Sequence, residues 1–490
     1  MIGNARRAGA RVAFAVAVGI GQAALAGEVG KPPLSVRFED ATAAVGLKGL
    51  GGGRAAWGDF DNDGWVDLYV GGRLWRNDGG RRFVRVAKQP LAGDGIWGDF
   101  DNDGFRDLFC WTGQGRLFRN VAGKRFVDAG RLPDLPMKVS RGAVWGDFDG
   151  DGLLDLYVGG YEAPGYQPDA IYRNAGKGRF ERVWTTPGRP QPARGITAAD
   201  YDEDGDLDVY VSNYRLAPNL LLQNDGAARF TDRAARCGVA GDGGLGAWGH
   251  TIGSAWGDLD SDGRLDLFVG NFSHKPAYQD RPKFYRNLGA RSECRFEDKS
   301  QGAGLAWQES YASPALGDYD NDGLLDLLFS TVYPRDHCVL YRNEGNWKFA
   351  DVTKATGISG RLTYQATWAD FDNDGDLDLL TGGRLFRNAL SGRRWLKLRL
   401  VGDGRGVNRD AVGTRVRIRL GEMTPTRHVE SATGEFNQND PALHFGLGDR
   451  SGPVTAEIHW PGGATQTLKA RPDRTITVRY APVARPSRSP

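Results

Sequence analysis

Asp59-Phe60-Asp61-Asn62-Asp63-Gly64-Trp65-Val66-Asp67 is the stretch that decides the fold, because its pattern, Asp-x-Asp-x-Asp-Gly-x-x-Asp, returns six more times in the 490 residues. The later copies begin at Asp99, Asp147, Asp200, Asp258, Asp318 and Asp370, at intervals of 40 to 60 residues. A period of that length is the mark of a repeat architecture. The four carboxylates of each copy stand at positions 1, 3, 5 and 9. They are Asp59, Asp61, Asp63 and Asp67; Asp99, Asp101, Asp103 and Asp107; Asp147, Asp149, Asp151 and Asp155; Asp200, Asp202, Asp204 and Asp208; Asp258, Asp260, Asp262 and Asp266; Asp318, Asp320, Asp322 and Asp326; and Asp370, Asp372, Asp374 and Asp378. With a glycine at position 6 for the sharp turn and a backbone carbonyl expected near position 7, each loop offers the oxygen shell of a hard cation. Zinc or copper would draw on histidine or cysteine, absent from all seven loops, and magnesium demands a more regular octahedron. The expectation is about seven structural Ca²⁺ ions. Plain acidic hairpin turns are the competing reading, but without a cation four carboxylates on one short loop repel one another.

Each loop is followed by a short apolar strand such as Leu68-Tyr69-Val70, then by an aromatic strand closing on Arg-Asn, as in Leu74-Trp75-Arg76-Asn77 and Leu385-Phe386-Arg387-Asn388. A glycine turn leads to a fourth strand starting at a phenylalanine, near Phe83, Phe126, Phe180, Phe230, Phe296 or Phe349. Four short strands per unit predict the blade of a β-propeller. The seventh unit lacks its fourth strand. Arg37-Phe38-Glu39-Asp40 repeats the wording of Arg295-Phe296-Glu297-Asp298, so the N-terminal strand is expected to complete the last blade and remove the open sheet edges of a linear solenoid. The predicted fold is all-β: a seven-bladed propeller over residues 35–390, closed by its N-terminal strand, followed by a small β-sandwich-like domain over 393–480. In that domain Trp395–Leu400, Arg415–Leu420, Thr455–Trp460 and Thr475–Tyr480 alternate with period two.

Residues 1–26 read as an export signal. Arg6, Arg7 and Arg11 precede the apolar run from Val12 to Ile20, and Ala24-Leu25-Ala26 forms a small-residue cleavage site; an uncleaved anchor is the alternative. No later run reaches the roughly 20 apolar residues that span a bilayer, so a secreted, periplasmic or cell-surface location is expected, with no transmembrane segment in the mature chain. Residues 481–490, rich in proline, serine and arginine, are expected to be a disordered tail. From Gly27 onward 60 basic residues face 61 acidic ones, and seven divalent cations would bring the net charge near +13. That balance favours an anionic partner, while no stacking module or compact basic cluster points to nucleic acid.

In a propeller the connections between strands two and three share one face, opposite the carboxylate loops. They are short in blades one, two and seven and longer in blades three to six. These longer loops carry Tyr166, Arg215, Lys275, Tyr278, Arg281, Tyr333 and Arg335, a mixture of aromatic and basic groups suited to a protein or an acidic glycan. Calcium-stabilised binding or adhesion is the predicted function. A carbohydrate-active or other hydrolytic enzyme is the alternative, with Asp169, Asp280 and Glu309 as carboxylates that could lie above one face. His444 and His459 have no spaced metal partner or evident nucleophile. Cys110, Cys237, Cys294 and Cys338 occupy dissimilar places in their blades, so no regular disulfide pairing follows from the repeat.

These repeats and the C-terminal segment resemble a known family. The loops, the Arg-Asn strands, Asn408–Val416, Asn437–Asp440, Leu443–Gly448 and His459–Gly463 look like an exported FG-GAP or VCBS-type repeat protein ending in an ASPIC and UnbV domain. The family includes the cartilage acidic proteins, and its repeats are related to the integrin alpha-subunit propeller. The resemblance implies calcium-supported repeats and extracellular interaction, and supplies no reaction for the terminal domain. Ser431-Ala432-Thr433-Gly434-Glu435-Phe436 departs from the Gly-rich, Tyr-containing wording usual there.

Overall fold

A computed structural model describes residues 36–481 apart from 112–113, 137, 162–164, 243–247, 274–280 and 290–294. The export segment, nine residues of the tail, Asp280, and the partner candidates Lys275 and Tyr278 lie outside the described residues.

Seven antiparallel four-stranded sheets follow one another along the chain. Blade one is Ala55–Gly58, Asp67–Val70, Arg73–Asn77 and Phe83–Arg85, and blades two to six repeat this order. Blade seven takes Ala366–Ala369, Asp378–Thr381 and Arg384–Asn388 from its own stretch and Phe38–Asp40 as its outer strand. Phe38 pairs with Asn388 and Asp40 with Phe386. The Phe38 ring is buried, 5.8 Å from Tyr319 and 6.3 Å from Trp368. The first strands of successive blades lie side by side, and Ala366–Ala369 returns to the neighbourhood of Ala55–Gly58.

Two residue types build the contacts between blades. In three blades the first strand ends on glycine where the next blade's tryptophan lies: a Cβ on Gly58 would stand 2.9 Å from the Trp97 ring, one on Gly98 2.8 Å from Trp145, and one on Gly317 2.9 Å from Trp368. The buried indoles donate backward, Trp97 Nε1 to Ala56 O at 3.1 Å and Trp368 Nε1 to Ala315 O at 3.2 Å. The asparagine of each Arg-Asn pair is the second device. Asn120 Nδ2 donates to Arg106 O in its own loop and to Phe60 O of the preceding blade at 2.8 Å. Asn388 does the same with Leu377 O and with Tyr319 O of blade six at 2.7 Å. Asn77 of blade one reaches Phe371 O of blade seven at 2.7 Å, so this latch runs around the ring.

The terminal domain consists of two sheets. Arg394–Val401 is flanked by Leu443–Gly448 and Arg474–Arg479, and Arg415–Ile418 and Val454–His459 form the centre of a four-stranded sheet edged by Thr426–His428 and Thr465–Ala470. The period-two reading found four of these seven strands. It missed Leu443–Gly448, which is buried over nearly its whole length and so shows no alternation, and the two edge strands, whose residues are short-ranged or polar. The cysteines are also unequal. Cys110 and Cys338 are buried free thiols, whereas Cys237 is disulfide-bonded at the end of a helical turn, Ala234–Cys237, that follows blade four and has no counterpart in most blades.

Candidate metal centres on the capped rim

Each carboxylate loop joins the first and second strands of its blade. The glycine at position 6 has φ between 85° and 99° in all seven copies, and position 4 is also left-handed, as in Asn62 at φ 60° and Asn373 at φ 55°. In blade one Asp59 holds the turn, accepting Asp63 N on Oδ1 at 3.1 Å and Gly64 N on Oδ2 at 2.9 Å. Asp67 at position 9 opens the second strand, fully buried, and accepts Asn77 N at 2.7 Å and Phe60 N at 3.0 Å. The same bonds recur in the other blades, as in Asp326 with Asn343 N at 2.8 Å.

This scaffold converges carboxylates. In blades one to four positions 1, 3 and 9 each bring an oxygen within 4.8 Å of the others, and in blade five positions 1, 3 and 5 do so. Burial, with the neighbouring carboxylates adding to it, pushes Asp67 up to about 9, Asp107 to about 10 and Asp99 to about 8. Asp200, Asp202, Asp260, Asp370 and Asp372 each keep a buried Oδ1 that accepts no hydrogen bond. An anionic oxygen so placed is costly unless something positive meets it. The donor set, all oxygen and no nitrogen or sulfur, fits a hard divalent cation.

The terminal domain sits on this rim. Lys397 Nζ, 1% exposed, donates to Asp370 Oδ2 at 2.5 Å and to Asn373 Oδ1 at 2.7 Å. Gly446 N reaches Asp318 Oδ2 at 3.0 Å, Thr426 N reaches Asp258 Oδ2 at 3.0 Å, and Arg415 lies 3.4 Å from Asp200 Oδ2. Thus the position-1 carboxylates of blades four to seven meet the terminal domain through the oxygen that also accepts their own turn or stands beside it. Loop carbonyls serve too. Arg399 donates to Gly64 O at 2.5 Å, Arg417 Nε to Gly263 O at 3.0 Å, and His444 Nε2 to Gly375 O at 2.9 Å. Burial lowers His444 to about 3, so its ring is a neutral donor to that carbonyl. Asp410 reverses the polarity, accepting Asp99 N at 2.7 Å and Arg106 Nε at 2.8 Å.

From this seat the stretch 431–440 enters the space enclosed by the first strands. Gln438 extends the inner edge of blade one, with N to Ala55 O at 2.9 Å and O from Trp57 N at 3.1 Å, and its side chain caps Trp97. Asn439 and Asp440 bond Trp368 in the same way, and Ser431 Oγ donates to Trp145 O at 2.5 Å. At the tip Glu435, fully buried, is clamped by Arg194 Nε at 2.6 Å and by Arg54 Nη2 at 2.5 Å. The Arg194 guanidinium also lies 5.1 to 5.5 Å from the rings of Tyr161, Tyr214 and Tyr364. The body of the terminal domain lies on the carboxylate rim, and only this tip extends toward the other end. A polar segment without periodicity gives no sign of such a plug; Glu435, an isolated acid among small residues, was the one available hint.

On the face of the enlarged loops Tyr166 is 40% exposed with Arg189 over its ring at 5.5 Å. Arg215, Arg281 and Arg335 are exposed, and Arg215 lies 5.2 Å from the Tyr214 ring. Tyr333 is half-buried against Phe272 at 5.1 Å. Asp169 is buried, and accepts Tyr157 Oη at 2.6 Å and Gly160 N at 2.8 Å.

Repeated four-stranded blades with one cation-ready loop apiece define a class of repeat propellers, here carrying a docked C-terminal β domain. Residues 99–158, 147–211, 258–329 and 318–381 match the FG-GAP-like repeat, and residues 404–484 match the family ASPIC and UnbV. The chain is thus an FG-GAP-like repeat chain ending in an ASPIC and UnbV domain. It is similar to cartilage acidic protein 1 of Xenopus tropicalis, 27% identical over 55% of this chain and 42% of the relative, and to that of Homo sapiens at 24% over 55% and 41%. The chain therefore spans less than half the length of these relatives. Among solved structures, that of an Agrocybe aegerita lectin described as recognising non-reducing terminal N-acetylglucosamine aligns at TM-score 0.40 and 18% identity, over 61% of this chain and 79% of the lectin. The C-terminal domain of Pseudomonas aeruginosa PilY1 aligns at 0.31 and 12%, over 77% and 78%.

Proposed function

We propose that this chain is a calcium-stabilised extracytoplasmic binding or adhesion protein that docks a protein or an acidic glycan on the face of its enlarged loops. The observation that carries the reading is the placement of the terminal domain, which occupies the carboxylate rim and leaves the loops of blades three to six as the outward face of the ring. Loops on a rigid scaffold are where recognition is varied, and the exposed residues there are aromatic and basic. The similarity to cartilage acidic proteins supports a binding role in the same direction. Among the described residues no helix is long and apolar enough to cross a membrane, in keeping with an exported, secreted, periplasmic or surface location.

The test is combined substitution of Arg215, Lys275, Arg281 and Arg335 by alanine, with binding measured on panels of immobilised exported proteins and acidic glycans. Affinity for the protein's partner should fall and its salt dependence flatten, with cation stoichiometry unchanged. Undiminished binding by the folded variant, with partner crosslinks confined to the carboxylate rim, would place the docking surface elsewhere.

A further inference from the structure

Between the terminal domain and the loops of blades four and five lies a cleft of about 900 Å³. That volume is in the range of a ligand site, and domain junctions are where such sites concentrate. The lining carries charges of both signs. Asp202, Glu203 and Asp262 come from the propeller loops, and Arg417, Arg419 and Arg450 from the terminal domain.

The acids of the propeller wall are committed. Glu203 faces Arg415 at 3.5 Å and pairs with Arg417; Asp262 pairs with Arg264 and with Arg286 at 3.0 Å; Asp202 accepts Gln223 Nε2 at 2.6 Å. Glu457, on the opposite wall, lies 3.1 Å from His459. Arg419 and Arg450 differ from the other arginines of the cleft. Both are exposed, and neither guanidinium makes a hydrogen bond or ion pair among the described residues. Two free planar forks on the wall of one cleft are suited to bidentate capture of carboxylate or sulfate.

We propose that this cleft binds an acidic oligosaccharide, with Arg419 and Arg450 as its anion-holding residues. A ligand with several negative charges and no large apolar anchor suits it: among the described residues the lining holds no aromatic side chain and only Val454 and Pro453 as aliphatic ones. An acidic peptide would need an apolar anchor or an open sheet edge, and the edge strands Thr426–His428 and Thr465–Ala470 do not line the cleft. A small dianion would leave most of the volume empty. A saccharide charged at successive sugars meets all of these conditions. This site is separate from the enlarged-loop face.

The experiment uses the full mature chain in calcium-containing buffer, titrated calorimetrically with a heparin-derived hexasaccharide and with a hexagalacturonate, to distinguish sulfate from carboxylate. Binding of either, weakened at least tenfold in the Arg419→Gln/Arg450→Gln variant and retained in the variant lacking the four loop cations, supports the site. Both arginines are exposed, so an unchanged thermal midpoint should accompany the loss. As an independent readout, bound saccharide should protect Arg419 and Arg450 from phenylglyoxal modification, read by mass spectrometry. Equal affinity of the double variant and the unsubstituted chain overturns the proposal, as does binding of polyglutamate alone. Loss of saccharide only in the loop-cation variant also overturns it, while leaving the enlarged-loop reading intact.

Discussion

At the scale of single residues, one amide per blade accounts for much of the contact between neighbours. Asn388 donates to two backbone carbonyls, Leu377 O and Tyr319 O, that no other side chain among the described residues serves in the same way. Replacing it by alanine leaves acceptors without donors in blades six and seven, at about 1–3 kcal/mol for each buried group. Chemical denaturation of Asn388→Ala should show a loss of about 2–6 kcal/mol, and a loss within error of zero would mean that the latch is structural decoration. Asp169 gives a pH signature. Burial holds it up at about 7 despite the bonds from Tyr157 and Gly160, so the folded state keeps a proton that the unfolded chain loses near 4. Its contribution is therefore fully present below about 4, is lost progressively as pH rises to about 7, and is constant above that. Asp169→Asn should flatten the fall in stability between pH 4 and 7 relative to the unsubstituted protein; parallel curves would reject this account.

At the scale of elements, the N-terminal strand closes blade seven. Its value lies in both the ladder to Arg384–Asn388 and the burial of Phe38. Removing a buried phenylalanine side chain costs about 3–5 kcal/mol, and deleting Val36–Thr42 also exposes a sheet edge able to pair with another molecule. Phe38→Ala should lower the thermal midpoint while remaining monomeric, and the deletion should aggregate by light scattering. A deletion variant as monomeric and as stable as the full chain would contradict the closure argument. The repetition of Arg-Phe-Glu-Asp at both ends made this pairing legible in sequence, because the fourth strand of a blade has its own wording. The edge strands of the terminal domain had no such wording.

At the scale of the whole molecule, the rim loops seat the terminal domain, and we propose that they also serve as cation shells. If the loops hold calcium with an extracellular-type dissociation constant of roughly 0.1 mM, free calcium of about 1 mM contributes on the order of 1.4 kcal/mol per site. About seven bound ions are expected by elemental analysis after dialysis. Chelation should lower the thermal midpoint and, because Lys397, Arg415 and Gly446 rest on loop carboxylates, should expose the connection near Ser391 to protease. Two or fewer ions with no change in midpoint would sink the cation reading. Asp149→Ala should remove one ion and leave the others.

Sequence by itself determined the repeat period, the strand order of a blade, the strand borrowed from the N-terminus and the oxygen atoms of each loop. All of these are local: the loop carboxylates lie within nine residues, their turn is fixed by a glycine at one position, and seven copies average out the ambiguity of any one. Only the tertiary structure decided that the carboxylate rim is covered, that residues 431–440 run inside the ring, and that Glu435 meets Arg54 and Arg194 there. Those contacts join residues hundreds of positions apart through single charges and backbone amides. Such groups carry no periodicity, so nothing local in the chain distinguishes a buried Glu435 from an exposed one until the ring has closed around it.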